Sequence, residues 1–206
     1  MRIIGGTLRS RRLQAPAGLS TRPTSDRLRE TLFNVLAPRI FGAAFLDLYA
    51  GSGAVGLEAL SRGAASVVFV ERAPAALKAL HGNVAKLGIR EGFRVDPNKV
   101  GAALRRLEKG ASYSRFDIVF LDPPYEEAEE YASTLGQLGG GLAGLLAPDA
   151  LVIAEHRRKQ RLEDRYGSLQ RTRLLEQGDA ALSFYRRVVE ESSSPGESSD
   201  SEAGDL

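Results

Sequence analysis

Short apolar segments alternate with amphipathic segments from residue 44 onward, and this alternation constrains the fold more than any other feature of the chain. The apolar segments predict buried strands, and the segments between them place apolar residues at helical spacing. Strands are predicted at Ala44–Tyr49, Ser66–Glu71, Phe93–Val95, Phe116–Leu121 and Ala150–Glu155, with helices from Ala54 to about Arg62, over Ala75–Leu87, over Val100–Leu107 and before the fifth strand. Buried strands that alternate with helices predict an α/β fold with a doubly wound, parallel sheet.

The pattern changes near the C-terminus, where two strand-like segments, Leu169–Leu175 and Ala181–Val189, flank the short segment Glu176–Asp179. No helix fits between them, so they are predicted to pair as an antiparallel hairpin. The sequence therefore predicts seven strands, with a C-terminal antiparallel hairpin that closes the parallel sheet. This arrangement differs from the six-stranded dinucleotide-binding fold, whose last strand is parallel.

The two ends of the chain depart from this pattern. Residues 1–23 form a basic N-terminal arm, in which Arg2–Ile4 and Arg11–Leu13 are candidate strands of a hairpin. A helix is expected to begin at Ser25-Asp26, and one domain is expected over residues 24–190. Residues 191–206 are acidic and lack a core-forming pattern, so we expect them to be a disordered tail.

Composition excludes several classes of protein. The chain has no cysteine, which excludes disulfides, thiolate metal sites and cysteine nucleophiles. No apolar run approaches the roughly 20 residues that span a bilayer, and the N-terminus lacks the apolar segment of a secretory signal. We therefore expect a soluble, cytoplasmic monomer without a membrane partner.

Basic residues are concentrated at the N-terminus, although the net charge of the whole chain is only +2. A guanidinium group matches the geometry of a phosphate, so this cluster favours a nucleic-acid partner. The alternative is a basic surface that faces only solvent. The candidate RNA-binding residues are Arg2, Arg9, Arg11, Arg12, Arg22 and Arg27.

A glycine-rich turn, with Gly51, Gly53 and Gly56, connects the first predicted strand to the next helix. Glu71 ends the second strand, where an acidic residue can accept hydrogen bonds from ribose hydroxyl groups. Such a turn lets a ligand approach the backbone, and it is equally compatible with a nicotinamide dinucleotide and with S-adenosylmethionine. A third interpretation is a tight turn with a structural role only.

Asp47 favours one of these cofactors. It lies within an apolar strand, where a carboxylate is costly unless it has a partner. The free amino group of S-adenosylmethionine would provide that partner, whereas the same negative charge would repel the pyrophosphate of a nicotinamide dinucleotide.

The tetrapeptide Asp122-Pro123-Pro124-Tyr125 follows the fourth strand, at the carboxyl edge of the sheet where doubly wound folds bind ligands. The prolines remove two backbone donors and leave carbonyl groups that can only accept hydrogen bonds. With the Asp122 carboxylate and the Tyr125 ring beside them, these carbonyls suit a flat heterocycle that carries an amino group. The alternative is a rigid loop with a packed tyrosine.

Five segments of the chain together resemble the bacterial 16S ribosomal RNA guanine-N2 methyltransferases of the small subunit: Arg2–Gly6, Arg22–Asn34, Leu46–Gly63, Asp122–Tyr125 and Leu182–Arg186. The resemblance runs from about Arg2 to Arg187. It implies a seven-stranded methyltransferase sheet with an N-terminal arm and S-adenosylmethionine as the cofactor. It also implies methylation of the exocyclic N2 amino group of an unpaired guanine in 16S rRNA, either free or within the small ribosomal subunit or an assembly intermediate.

The resemblance and the residue patterns together assign roles to individual side chains. The expected cofactor-binding residues are Asp47, Gly51, Ser52, Gly53, Glu71 and Asp96, with Asp96 near the adenine. The expected catalytic residues are Asp122, Pro123 and Tyr125, and no metal is expected. The alternatives are methylation of another nucleic-acid amino group, a NAD-dependent oxidoreductase, and a catalytically silent RNA-binding protein.

Overall fold

The computed structural model describes residues 1–16, 26–110, 115–124 and 127–188. The helices are α1 (Asp26–Leu36), α2 (Ala54–Ser61), α3 (Pro74–Leu87), α4 (Val100–Lys109) and α5 (Glu129–Gly139), and a short 3-10 helix spans Ala143–Leu145. The strands are β1 (Ala44–Leu48), β2 (Ser66–Val70), β3 (Phe93–Asp96), β4 (Phe116–Leu121), β5 (Leu146–Arg157), β6 (Arg165–Tyr166), β7 (Leu169–Gln177) and β8 (Ala180–Arg187). None of the helices in the described part of the chain has the length and apolar surface of a membrane span.

All of these strands belong to one sheet, in the order β3-β2-β1-β4-β5-β8-β7-β6. Strands β1 to β5 pair in parallel with one another, and β8 pairs antiparallel with both β5 and β7. The chain order reverses between β1 and β4, and such a switch point is where open α/β sheets bind ligands, at the carboxyl ends of their strands. The predicted doubly wound sheet and C-terminal hairpin are therefore confirmed.

Helices cover both faces of the sheet, which explains why its central strands are apolar along their length. All five residues of β1 are buried, as expected for a parallel strand between two helical layers. One layer packs Leu32 of α1, Leu57 of α2 and Leu80 of α3 against the sheet. The other layer packs Leu104 of α4 and Leu135 of α5 against the opposite face. The two layers together hold the strand ends in place at the edge of the sheet.

The number of strands differs from the prediction, because the sheet formed by the described residues has eight strands rather than seven. The additional strand, β6, consists only of Arg165–Tyr166 and pairs with the beginning of β7. Two residues are too few to produce an alternating pattern in the sequence. Strand β5 also begins earlier than predicted, at Leu146, and its pairing with β4 is irregular between Phe116 and Ile118.

The described part of the N-terminal arm packs against the domain. Arg2 and Arg12 form an antiparallel bridge, and the backbone N–H of Ile3 donates to the carbonyl oxygen of Arg11. Ile3 and Leu13 are buried, so the predicted hairpin is present as a short pairing. The end of the arm, residues 17–23, and the predicted tail, residues 191–206, lie outside the described residues. The predicted domain limits stay predictions.

Candidate active site

A cavity of about 1420 Å³ lies at the carboxyl edge of the sheet. The turn after β1, the end of β2, the loop after β3 and Asp122–Pro124 after β4 all contribute to its walls. Ligand pockets commonly enclose roughly 300–1,000 Å³, so this cavity is larger than most pockets that hold one small ligand. The strand ends that the sequence marks as candidate sites therefore meet in one place.

The three glycines of the turn after β1 have different roles. Gly51 has a φ of 56°, lines the cavity and would have open space around an added Cβ. A Cβ added to Gly53 would lie 2.3 Å from the side chain of Leu80. A Cβ added to Gly56 would lie 2.3 Å from the ring of Phe69 in β2. Ser52 lines the cavity, but Gly53 is not among the described residues that do so. Gly51 and Ser52 therefore border the cavity, whereas Gly53 and Gly56 allow close packing of the turn and α2, and the predicted cofactor contacts of Gly51, Ser52 and Gly53 stay predictions.

Asp47 is buried in β1 and also lines the cavity. Its Oδ2 atom accepts a 2.9 Å hydrogen bond from the backbone N–H of Gly56 in α2. Burial raises the pKa of Asp47 to about 7, and the nearby negative charge of Glu71 adds to this effect. A cation in the cavity would be stabilised by the ionised form of this carboxylate.

Glu71, directly after β2, lines the cavity and is held by backbone amides. Its Oε2 atom accepts a 2.8 Å hydrogen bond from the N–H of Gly51. Its Oε1 atom accepts 2.7 Å hydrogen bonds from the N–H groups of Arg72 and Ala73. The carboxylate therefore joins the turn after β1 to the end of β2, at the position predicted for a ribose acceptor.

Asp96, at the end of β3, is bound by neighbouring side chains. Arg106 donates to its two carboxylate oxygens at 2.6 and 2.7 Å, and Asn98 donates at 2.8 Å. Asp96 is buried and is not among the described residues that line the cavity, whereas Asn98 and Lys99 are. The contacts of Asp96 thus fix the loop after β3, and its predicted contact with an adenine stays a prediction.

Asp122, Pro123 and Pro124 line the cavity where β4 ends. Asp122 is half-buried, and its pKa is raised well above the usual value for a carboxyl group by burial and by the negative charges of Glu155 and Asp47. A ligand that donates hydrogen bonds or carries positive charge would stabilise the ionised form of Asp122. Tyr125, the predicted stacking residue, lies outside the described residues.

Glu155 is a cavity residue that the sequence analysis did not select. It is only 3% exposed and lies near the end of β5. Because Leu121 of β4 pairs with Ala154 of β5 in parallel, Asp122 and Glu155 follow at the same level of neighbouring strands. A signal for Glu155 was available, since a carboxylate at the end of an apolar strand is costly without a partner, as for Asp47.

Tyr49 is a second cavity residue that the sequence analysis missed. Its φ of 60° lies in a region that residues other than glycine rarely adopt. Its hydroxyl donates a 2.6 Å hydrogen bond to Glu130 and lies 2.9 Å from the hydroxyl of Thr134, and burial raises its pKa. These contacts tie α5 to the turn after β1. Periodicity in the sequence predicts neither the backbone angle of a single residue nor such a distant contact.

Acidic and basic side chains that line the cavity differ in how exposed they are. Those described as buried or half-buried are all acidic, namely Asp47, Glu71, Asp122, Glu127, Glu130 and Glu155. Those described as exposed are all basic apart from Asp179, namely Arg27, Arg72, Lys99, Arg105, Arg157, Arg158 and Lys159. An acidic interior favours a cationic ligand and disfavours a pyrophosphate, and a basic rim favours a polyanion at the entrance. Within the described ranges, no three His, Asp or Glu side chains form a group that could hold a metal ion.

The N-terminal arm is anchored by Glu58, a fully buried residue of α2 that the sequence analysis also missed. Its carboxylate accepts 2.7 Å hydrogen bonds from the backbone N–H groups of Ile4 and Gly5. Arg62 donates to the same carboxylate at 2.8 Å, and the buried Arg29 of α1 lies 3.8 Å from it. This network fixes the beginning of the arm to α1 and α2.

The predicted RNA-binding arginines are exposed wherever the structure describes them. They are Arg2, Arg9, Arg11 and Arg12 of the arm and Arg27 of α1, whereas Arg22 lies outside the described residues. Arg2 forms an ion pair of 3.6 Å with Asp26, and Arg27 lines the cavity. The anchored arm thus presents positive charge on the surface, and Arg27 extends it to the cavity.

Comparisons with known proteins agree with this geometry. The family described as conserved hypothetical protein 95 matches residues 1–186. Ribosomal RNA small subunit methyltransferase D of Escherichia coli K12 is 42% identical over 157 residues, which cover 75% of this chain and 74% of that protein. YlbH of Bacillus subtilis 168, provisionally described as an rRNA methyltransferase, is 36% identical over 187 residues, which cover 91% of this chain and 99% of that protein.

A solved structure shows the same architecture. The Escherichia coli protein yhhF, provisionally described as a methyltransferase, is 37% identical, with a TM-score of 0.78. The match covers 91% of this chain and 97% of that chain. The chain therefore belongs to the conserved hypothetical protein 95 family, together with ribosomal RNA small subunit methyltransferase D.

Proposed function

We propose that this protein transfers the methyl group of S-adenosylmethionine to the exocyclic N2 amino group of a guanine in small-subunit (16S) ribosomal RNA. The observation that carries this proposal is the charge arrangement of the cavity, with carboxylates in the interior and basic residues at the rim. The interior suits a sulfonium cofactor with a free amino group, and the rim suits RNA phosphates. The relatives named as ribosomal RNA methyltransferases support the same class of substrate.

The residues around the turn after β1 fit S-adenosylmethionine. Asp47 would accept a hydrogen bond from the amino group of its methionine end, and the backbone of Gly51 and Ser52 would border the carboxylate of the same end. Glu71 would accept from a ribose hydroxyl, while Asp96 would hold the loop on the adenine side. When bound, the cofactor supplies an activated methyl group on a positively charged sulfur, which the interior carboxylates would stabilise.

The groups after β4 would hold the target base. Asp122 and the Pro123 carbonyl would accept hydrogen bonds from the exocyclic amino group, and Tyr125 would provide a stacking surface. Accepting these hydrogen bonds localises the lone pair of the nitrogen, which is otherwise delocalised into the ring, and aims it at the methyl group. Because its pKa is raised, Asp122 is also suited to take up the proton that the amino group loses.

Other activities predict different results. Methylation of another nucleic-acid amino group would use the same acceptors, so the identity of the modified nucleoside separates it from this proposal. A NAD-dependent oxidoreductase would have to place a pyrophosphate among the interior carboxylates, which disfavour it. A catalytically silent RNA-binding protein would bind RNA without modifying it.

Methyl transfer in vitro tests the proposal. Small-subunit RNA and intact small subunits, both from cells without this protein, are incubated with the protein and methyl-labelled S-adenosylmethionine. We expect mass spectrometry of the digested RNA to find the label in N2-methylguanosine at one nucleotide, with at least one of the two substrates. Label in another nucleoside, no transfer to either substrate, or binding of NAD without binding of S-adenosylmethionine would overturn the proposal.

A further inference from the structure

Asp122, directly after β4, and Glu155, near the end of β5, lie side by side at the cavity. Leu121 and Ala154 pair in the parallel register of β4 and β5, and each is followed by a carboxylate residue that lines the cavity. Neighbouring strands are roughly 4.8 Å apart, and the negative charge of Glu155 is among those that act on Asp122. The cavity therefore presents two adjacent acidic side chains at its base-binding end, of which the proposed function uses only one.

Other groups fix the position of Glu155. The hydroxyl of Tyr131 donates a 2.8 Å hydrogen bond to the backbone carbonyl of Glu155. The next residue, the buried His156, lies 2.9 Å from the hydroxyl of Ser183 on β8. The buried guanidinium of Arg29 on α1 attracts the Glu155 carboxylate. A backbone held in place and a nearby cation would orient the carboxylate of Glu155, as is needed for a hydrogen bond to one particular group of a bound ligand.

The chemistry of the purine bases indicates which group this would be. Guanine carries its N1–H donor directly beside the N2 amino group, whereas adenine has a lone pair at N1. If Asp122 and Pro123 accept from the amino group, an acceptor on the adjacent strand faces N1. An ionised carboxylate can only accept hydrogen bonds, so it attracts N1–H and repels a lone pair.

We propose that Glu155 is the specificity-determining residue of this site, with a carboxylate that accepts a hydrogen bond from N1–H of the target guanine. The inference rests on the proposed function and deepens it, because it assigns the choice of guanine to one side chain. A base without N1–H would instead turn a lone pair towards this carboxylate, which repels it. Sites that hydrogen-bond one substrate group discriminate strongly against analogues that lack it.

Replacement of the target guanine by 2-aminopurine tests this assignment, because 2-aminopurine keeps the amino group and has a lone pair at N1. The base is introduced by ligation into small-subunit RNA, which is assembled into subunits if the particle is the substrate. Single-turnover methyl transfer is compared for the wild-type protein, Glu155→Gln and the control Glu108→Gln, which changes an exposed glutamate of α4. Binding of S-adenosylhomocysteine reports whether each variant retains its cofactor site.

We expect the wild type and the control to methylate guanine at least about tenfold faster than 2-aminopurine, the scale of one specific base contact. Glu155→Gln should slow methyl transfer to guanine. It should also reduce the ratio of the guanine rate to the 2-aminopurine rate at least about threefold, because its amide can donate to the N1 lone pair of 2-aminopurine. A purely structural role would slow both bases equally and leave the ratio unchanged, which would overturn the inference. Equal wild-type rates on both bases would overturn it without any variant.

A second variant and the wild-type rate on guanine separate the role of Glu155 from the proposed function itself. If Glu155→Gln does not fold, Glu155→Asp serves instead: it withdraws the acceptor by one methylene group and should also narrow the ratio, whereas an unchanged ratio would overturn the inference. A wild-type protein that transfers no methyl group to guanine contradicts the proposed function itself. A wild-type protein that methylates guanine, with variants that keep its preference, contradicts only the role of Glu155.

Discussion

The carboxylate of Glu71 accepts a 2.8 Å hydrogen bond from the backbone N–H of Gly51, so the end of β2 holds the turn after β1. Glu71→Ala removes this contact and the proposed ribose acceptor together. We expect calorimetry to show at least about tenfold weaker binding of S-adenosylhomocysteine, which corresponds to roughly 1.4 kcal/mol. Unchanged affinity would show that Glu71 does not contact the cofactor.

The raised pKa of Asp47, about 7, predicts a pH dependence of both stability and cofactor binding. An aspartate in an unfolded chain titrates near pH 4, so the folded protein holds this proton more tightly than the unfolded chain. The stability that Asp47 contributes is present below about pH 4 and is lost as the pH rises through about 7. The amino group of the cofactor binds the ionised form, so affinity should rise from pH 6 to pH 8.

Asp47→Asn isolates this effect, because the asparagine side chain does not titrate. The variant should lose part of the pH dependence of the free energy of unfolding, measured with urea, and of S-adenosylhomocysteine binding. The remaining dependence would report other groups, including Asp122, whose pKa is also raised. If wild type and variant show the same pH dependence, Asp47 is not the titrating group.

The predictions from sequence succeeded where the cause is local. Five consecutive buried residues in β1 produce an apolar run, and the carboxylate inside that run, Asp47, lines the cavity. Contacts between distant parts of the chain produce no such pattern. Glu58 binds the N–H of Ile4, 54 residues away, and Tyr49 binds Glu130, 81 residues away. These residues could be recognised only once the fold had brought their partners together.

The same limit explains the differences within the predicted site. Asp96 and Gly53 are predicted to contact the cofactor, but neither is among the described residues that line the cavity: Asp96 binds Arg106, and an added Cβ at Gly53 would meet Leu80. A motif identifies the segment that approaches a ligand, but the packing of neighbouring side chains decides which atoms face the cavity.

Glu58 is predicted to be the most important anchor of the N-terminal arm. Glu58→Ala leaves the buried guanidinium of Arg29 without its partner in α2, and it leaves two backbone N–H groups of the arm without their acceptor. Removal of one member of a buried ion pair typically costs about 3–5 kcal/mol. Urea denaturation should show a loss of this size, whereas Glu30→Ala, at an exposed position of α1, should change little. A loss below about 1 kcal/mol for Glu58→Ala would contradict this role.

The exposed arginines of the arm are predicted to contact RNA phosphates. Simultaneous replacement of Arg9, Arg11 and Arg12 by alanine should weaken RNA binding and reduce its salt slope by about one for each lost contact. Cofactor affinity should not change. The control replaces three basic residues near the opposite edge of the sheet by alanine. They are Arg39 before β1, Lys109 at the end of α4 and Arg115 before β4. A salt slope that falls equally in both variants, or in neither, would show that the arm does not provide these contacts.

Methyl transfer by Asp122→Ala tests the central claim most directly, since this residue is proposed to orient the target amino group. Single-turnover transfer to the mapped guanine is measured with saturating S-adenosylmethionine, and S-adenosylhomocysteine binding is measured in parallel. We predict a rate at least about a hundredfold lower, the scale of losing one preorganised polar contact, with S-adenosylhomocysteine affinity changed less than about threefold. Wild-type methylation of the same guanine by Asp122→Ala would contradict the account.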